Sequence, residues 1–137
     1  MRVFLDSSGL AKRYIREPGS DAVQAILAEA NEAAVSLIAP PEIVSALNRL
    51  RRQSALSDEQ YVQAKGALFS DLEDMGVLNL TVQVVQSAIG LLERFPLRTL
   101  DALHVACALE WPADLFVTAD RRQLAAAAAS GLRTRKV

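Results

Sequence analysis

The sequence predicts an α/β fold in three layers, with a parallel sheet covered by helices on both faces. Two patterns carry that reading. Short apolar runs of strand length alternate with longer segments of helical period, the order of a sheet wound by crossover helices. Where such runs hand over to helices there stand acids: Asp6 after Val3-Phe4-Leu5, Glu42 after Leu37-Ile38-Ala39-Pro40-Pro41, and Asp120 after Phe116-Val117-Thr118-Ala119. A fourth, Asp101, heads the apolar stretch Ala102–Ala106. In an open parallel sheet such junctions lie along one edge, where ligands bind.

The elements follow in order. Arg2–Leu5 is a short buried strand, and Ser7–Ile15 has helical spacing through Leu10 and Tyr14 until Pro18-Gly19 breaks it. Ser20–Ala30 is a second helix with Val23, Ile26 and Leu27 on one face, and Ala34–Leu37 is strand two. Pro40 and Pro41 suit the opening turn of a helix that runs to about Arg52. Ser57-Asp58-Glu59-Gln60 is a capping box, and the helix it starts carries the stripe Tyr61, Ala64, Leu68, Leu72 and Met75. These two helices form an inserted hairpin between strands two and three. Gly76 is expected to end the second of them, before strand three at Val77–Leu80. A helix from Val82 stops near Arg94, before Pro96, and Thr99 is expected to cap the helix that carries Asp101 and ends at Pro112. Leu115–Val117 is strand four, Asp120–Ala129 a helix stopped by Gly131, and Leu132–Lys136 an edge strand.

A chain of 137 residues fits one domain, 1–137, and 51% hydrophobic content argues against disorder. No apolar run approaches the roughly 20 residues that span a bilayer. The start, Met1–Asp6, is too short an apolar stretch for a signal peptide. The single Cys107 excludes an internal disulfide and reads as a buried, reduced thiol. A cytoplasmic protein is expected. Net charge is −1, so no global field draws nucleic acid. Lys12, Arg13 and Arg16, then Arg49, Arg51 and Arg52, then Arg121 and Arg122 nevertheless follow the acids closely. They are either solvated helix faces or a basic rim suited to a phosphodiester.

Clustered carboxylates repel unless a cation neutralises them, and oxygen-only ligands select a hard ion such as Mg²⁺ or Mn²⁺. Each acid also has a plainer reading. Asp6 and Asp120 can cap helices, the latter with Gln123 completing a box, while Glu42 and Asp101 sit in first turns, where the macrodipole favours negative charge. His104, the only histidine, reads as a satisfied, half-buried side chain, and no Cys/His constellation for zinc or nucleophilic catalysis is present. Ser8 and Thr118 can either cap helices or hold water and phosphate beside a metal. Trp111, at a helix end, reads as packing.

Val3–Tyr14 with Glu17-Pro-Gly-Ser20, Ala39–Leu47, Leu97-Arg-Thr-Leu-Asp-Ala-Leu-His-Val-Ala106 and Phe116–Arg122 together resemble the PIN-domain ribonucleases, most closely the VapC-like toxins of bacterial toxin–antitoxin modules. The resemblance is collinear over essentially the whole chain, and Thr99–Ala106 is its most specific part. It implies a five-stranded parallel sheet in the order 3-2-1-4-5, which would gather Asp6, Asp101 and Asp120 with Glu42 alongside. It also implies a homodimer, metal-dependent endonucleolytic cleavage of RNA, and an antitoxin whose C-terminal segment blocks the site. On that basis Asp6, Asp101 and Asp120 are expected as direct or water-mediated Mg²⁺ ligands, with Mn²⁺ as substitute. Glu42 would complete the shell or orient the attacking water, and Ser8 or Thr118 would hold it. Arg13, Arg49 and Arg121 are expected to contact the RNA backbone. The antitoxin is expected to bring a basic side chain to the acids and an apolar helix to a groove near Tyr14, Leu37, Ile43 and Leu47. Two rivals stand beside this reading: a non-catalytic scaffold whose acids only cap helices, and a phospho-aspartyl domain of receiver or phosphatase type. Against the latter, Ser7-Ser8 follow Asp6 where those sites use another acid, and only Lys136 lies near the end of strand five.

Overall fold

Alternation along three short strands decides how the molecule is layered. In a computed structural model that describes residues 1–137, β1 (Arg2–Leu5) lies between β2 (Glu32–Ser36) and β4 (Leu115–Thr118). Val3, Leu5, Val35, Leu115 and Val117 enter one apolar core, while Phe4, Ala34 and Phe116 enter the other. Successive side chains of a strand point to opposite faces, so each face of the sheet needs its own helices. All strand pairs are parallel, and β3 (Gly76–Leu78) and β5 (Thr134–Lys136) complete the order β3-β2-β1-β4-β5. The expected sheet is the observed one.

One core receives α1 (Ser7–Ala11), α2 (Ser20–Glu29), α3 (Ala39–Arg52) and α4 (Asp58–Asp74) through Leu10, Val23, Ile43, Leu47, Ala64 and Leu68. The other receives α5 (Val82–Arg94), α6 (Thr99–Glu110) and α7 (Arg121–Ala129) through Val84, Ala88, Leu91, Val105, Ala106 and Ala127. Phe4 and Phe116 stack across β1 and β4 at 5.9 Å between ring centroids. The hairpin α3–α4 lies between β2 and β3 as expected, and both halves of the Ser57/Gln60 capping box form. Cys107 is buried and free. Trp111 packs at the border of the second core, with the Arg2 guanidinium 4.2 Å from its ring centroid. No helix is long and apolar enough to cross a membrane.

Several local expectations are corrected. The first helix ends at Ala11 rather than Ile15, because the chain tightens into i→i−3 bonds from the Lys12, Arg13 and Tyr14 amides. That tightening carries Arg13 and Tyr14 onto Asp71 of α4. Strand two begins earlier, at Glu32, and strand three covers Gly76–Leu78. Gly76 is therefore not a helix cap but the first residue of β3, where a Cβ would stand 3.3 Å from that of Ala34. Thr99 is not the cap of α6. The N-cap position falls on Arg98, which makes no side-chain cap bond, and Asp101 supplies the negative charge in that first turn. The last strand is shorter than expected, Thr134–Lys136.

Gly9 fixes how closely α1 approaches the sheet. A Cβ there would lie 2.8 Å from the Val117 carbonyl oxygen and 3.3 Å from Oδ1 of Asp6. Backbone cannot yield cheaply, so Gly9→Ala is predicted to lower stability by about 1–3 kcal/mol, the usual penalty of overpacking. Gly66, exposed on α4 with nothing within 4 Å of a Cβ, provides the contrast. Gly66→Ala should raise stability by about 0.5–1 kcal/mol. Urea unfolding of the two variants measures both, and equal effects would refute the close approach.

Candidate active site

A cleft of about 830 Å³ opens at the carboxyl ends of β1 and β4. Asp6, Glu42, Asp101 and Asp120 all line it, with Ser7, Ser8, Arg49, Arg98, His104 and Gln123. The four acids come from four places in the fold. Asp6 and Asp120 each stand between a strand and the helix it feeds, while Glu42 and Asp101 sit in the first turns of α3 and α6.

Asp6 is the deepest, 1% exposed. Its Oδ1 accepts from the Gly9 amide at 2.8 Å and from Ser8 Oγ at 2.9 Å, and its Oδ2 from Thr118 Oγ1 at 2.9 Å. Burial dominates these bonds and pushes the Asp6 carboxyl above the usual carboxylate range, the hydrogen bonds offsetting only part. Thr118, wholly buried, does not line the cleft as expected. It braces Asp6 from behind and accepts the Asp120 amide at 2.9 Å. Ser8 does line the cleft, but its hydroxyl is committed to Asp6, and it also accepts the Ala119 amide at 2.9 Å.

Asp101 is 7% exposed. Its Oδ1 accepts from Gln123 Nε2 at 2.9 Å and its Oδ2 from Arg98 Nε at 3.1 Å. Gln123 thus turns inward to Asp101 and does not complete a capping box with Asp120. Asp120 caps α7 on its own, accepting the Arg122 and Gln123 amides through Oδ1 at 2.7 and 2.9 Å. Glu42 accepts Ser7 Oγ at 2.7 Å and His104 Nε2 at 2.5 Å, both on Oε1. Partial burial pulls the Glu42 carboxyl up, but the bonds from His104 and Ser7 outweigh it and hold the group below the ordinary glutamate range. As these side chains stand, no three of them converge on a point that could hold a metal ion. Their chemistry still suits one: every acid oxygen is a hard donor, and Mg²⁺ binds through one or two carboxylates while keeping several waters.

The basic rim is thinner than the sequence suggests. Arg13 is turned away and holds Asp71, with Nε 2.5 Å from Oδ2 and Nη2 3.1 Å from Oδ1, while the Tyr14 hydroxyl donates to the same carboxylate at 2.8 Å. Arg16 pairs with Asp21, Lys12 with Glu17, and Arg51 lies over the Tyr61 ring. Arg121 is exposed on the first turn of α7 and does not line the cleft. Arg49 does, and so does Arg98, which sequence reasoning missed. Of the expected groove residues, Ile43 and Leu47 are core, Tyr14 is half-buried, and only Leu37 is exposed.

His104 is likewise corrected, from half-buried to 1% exposed and directly bonded to Glu42. The signal lay in its spacing: Asp101 and His104 are one turn apart on α6, and such residues share a helix face. Ser7 had no comparable signal, since its partner Glu42 is distant in sequence. The arrangement speaks against two chemistries. A phospho-aspartyl enzyme needs a carboxylate oxygen free to attack phosphorus, and both Asp6 oxygens already accept hydrogen bonds from Ser8, Gly9 and Thr118. A Ser–His–acid relay needs its partners on opposite ring nitrogens, and here Ser7 and Glu42 both meet Nε2.

Known proteins agree with this architecture. The family model of the PIN domain matches residues 3–129. Ribonuclease VapC46 of Mycobacterium tuberculosis is 36% identical over 132 residues, spanning 95% of this chain and 93% of its own. Ribonuclease VapC49 of the same species is 31% identical over 137 residues, 96% and 92% of the two chains. Among solved structures, the sarcin–ricin loop cleaving toxin VapC20 of M. tuberculosis has a TM-score of 0.72 at 16% identity, covering 98% of this chain and 99% of its own. VapBC2 from Rickettsia felis, bound to a promoter DNA fragment, has a TM-score of 0.70 at 16% identity, covering 100% and 99%. At such identities the structural likeness speaks for the fold. The sequence matches carry more, and by them this chain belongs to the PIN-domain family, with relatives named as VapC ribonucleases.

Proposed function

We propose that this protein is a divalent-metal-dependent endoribonuclease and the toxic member of a toxin–antitoxin pair. The observation that carries the reading is the meeting of Asp6, Glu42, Asp101 and Asp120 in one cleft at the carboxyl edge of the sheet. The relatives named as ribonucleases support it. Residues 1–137 would act as one domain, in the cytoplasm, as a homodimer. The partner would be an antitoxin that brings an Arg or Lys to the acids. Solved relatives described as VapBC or toxin–antitoxin complexes support such a partner.

In this reading Asp6, Asp101 and Asp120 hold Mg²⁺, or Mn²⁺ in its place, directly or through water. When bound, the ion would polarise the phosphate and lower the pKa of its water. The protein supplies the remainder. Ser8, Thr118 and the Gly9 amide keep the Asp6 carboxylate fixed; Gln123 does the same for Asp101. Glu42 has Oε2 left to orient the attacking water as a hydrogen-bond acceptor, and its depressed pKa keeps it ionised for that. Arg49 and Arg98 are placed for phosphate contact, Arg121 less directly, and Arg13 is withdrawn from that role by Asp71. Hydrolysis in this manner leaves 5′-phosphate and 3′-hydroxyl ends. A pure scaffold reading has no need of a partly exposed Glu42 pinned by a buried histidine.

Asp101→Asn tests the chemistry. The variant keeps an oxygen for Gln123 and removes the charge, so a scaffold would barely notice it. The proposal predicts loss of RNA cleavage by at least about 100-fold, an unchanged circular dichroism spectrum, and relief of the growth arrest that wild-type expression causes. Full cleavage by Asp101→Asn in Mg²⁺ would sink the catalytic reading. Wild-type protein that is soluble, cleaves RNA and leaves growth unaffected would remove the toxin assignment alone.

A second prediction follows from Asp6. Its carboxyl titrates above its unfolded value of about 3.9. The folded state therefore holds its proton longer than the unfolded one, and ionisation weakens the fold as pH rises through that window. Without metal, Asp6→Asn should melt higher than wild type at pH 7, and the gap should close as pH falls toward 4. Millimolar Mn²⁺ should raise the wild-type melting temperature and leave the variant nearly unmoved. A variant that melts lower at every pH would contradict this account of the buried charge.

A further inference from the structure

His104 is the largest polar side chain in the buried interior that no metal role requires. Its Nε2 meets Glu42 Oε1 at 2.5 Å and Ser7 Oγ at 3.2 Å, while Nδ1 is buried with no hydrogen-bond partner. A proton on Nδ1 would be an unsatisfied buried donor, costing about 1–3 kcal/mol. The lone pair of an unprotonated Nδ1 is the cheaper orphan, so the proton belongs on Nε2, where a carboxylate waits. The shorter contact of Ser7, 2.7 Å, is to Glu42, so the hydroxyl donates there as well. Two donors thus converge on Oε1, and none reaches Oε2.

We propose that His104 is a positioning residue for the nuclease reaction. Its Nε2–H, together with the Ser7 hydroxyl, saturates Oε1 of Glu42 and leaves Oε2 as the one oxygen turned to the reaction. The inference rests on the proposed role of Glu42 and deepens it. A carboxylate on a first helical turn has several rotamers open to it, and Glu42 is about one-third exposed. Besides His104, only the freely rotating Ser7 hydroxyl bonds to it, and the Arg98 charge acts on it without a hydrogen bond. The imidazole is suited to that task because it is 1% exposed on α6, a helix that also buries Ala102, Val105, Ala106 and Ala108 completely. One rigid helix thereby fixes Asp101 directly and Glu42 at second hand, so two of the cleft's acids share one frame.

Because His104 is the only histidine, its ring gives a single set of imidazole signals in a nitrogen-15 spectrum. The wild type should show a proton on Nε2 that exchanges slowly with solvent and loses that protection in Glu42→Ala. In steady-state cleavage of a defined RNA, His104→Leu should lower kcat by about 10- to 100-fold, the usual range for a residue that orients a catalytic group, with KM unchanged. His104→Gln, which restores an N–H donor, should recover most of that loss. A folded His104→Leu enzyme with wild-type kcat overturns the proposal, as does a ring with no proton on Nε2 or a Gln variant no better than Leu. If His104→Leu does not fold, the wild-type imidazole spectrum and the Gln variant still decide. An inactive wild type whose Nε2–H is bonded to Glu42 would overturn the nuclease reading and leave the contact standing. An active wild type indifferent to His104→Leu would overturn only the role given to His104.

Discussion

A carboxylate buried at the end of the first strand is the constraint around which this fold is arranged. Asp6 is almost wholly removed from water, and leaving such a group charged and unpaired would be prohibitive. The chain answers with Gly9, Ser8 and Thr118, drawn from the helix that follows β1 and from the end of β4. Because those donors come from neighbouring elements, satisfying Asp6 also joins them. Gly9 lacks a side chain so that α1 can come near the Val117 carbonyl, and Thr118 is tied in turn to the Asp120 amide. A residual penalty remains, because burial outweighs those bonds and leaves the Asp6 carboxyl above the usual carboxylate range.

The capping and catalytic interpretations of the acids turn out to be compatible. Asp6 caps α1 and Asp120 caps α7, as a purely structural reading requires. Those caps also point carboxylates at one cleft, because in a parallel sheet all the helices that follow strands start at the same edge. Helix N-termini stabilise the negative charge that these acids bring together. One geometry therefore caps the helices and lowers the cost of gathering four acids.

Most of the architecture was legible in the sequence because it rests on periodicity. Strand runs, the 3.6-residue stripe of α4, the Ser57/Gln60 box and the stop at Gly131 are local signals, and each marks an observed element, with strand ends displaced by one or two residues. The acids were legible as junction residues, although their grouping needed the strand order. What escaped depends on long-range pairing. Arg13 looked like part of a basic rim, but its partner Asp71 lies 58 residues away. Gln123 looked like half of a capping box and instead reaches Asp101, a contact that exists only once α6 and α7 are side by side. His104 looked like filler because its neighbours in sequence are apolar. Its value lies in Glu42, 62 residues earlier on another helix. Thr118 was noticed as a possible cleft residue, and packing put it behind Asp6 instead.

The central claim is that the acids of this cleft jointly bind the divalent ion on which RNA cleavage depends. Anomalous diffraction from crystals grown with Mn²⁺ tests it most directly, because the ion's position is then read without reference to activity. The account predicts anomalous density inside the cleft, within direct or one-water reach of Asp6, Asp101 and Asp120, and its loss in Asp101→Asn crystals. A protein that cleaves RNA with Mn²⁺ while its crystals show the ion elsewhere, or not at all, would contradict it.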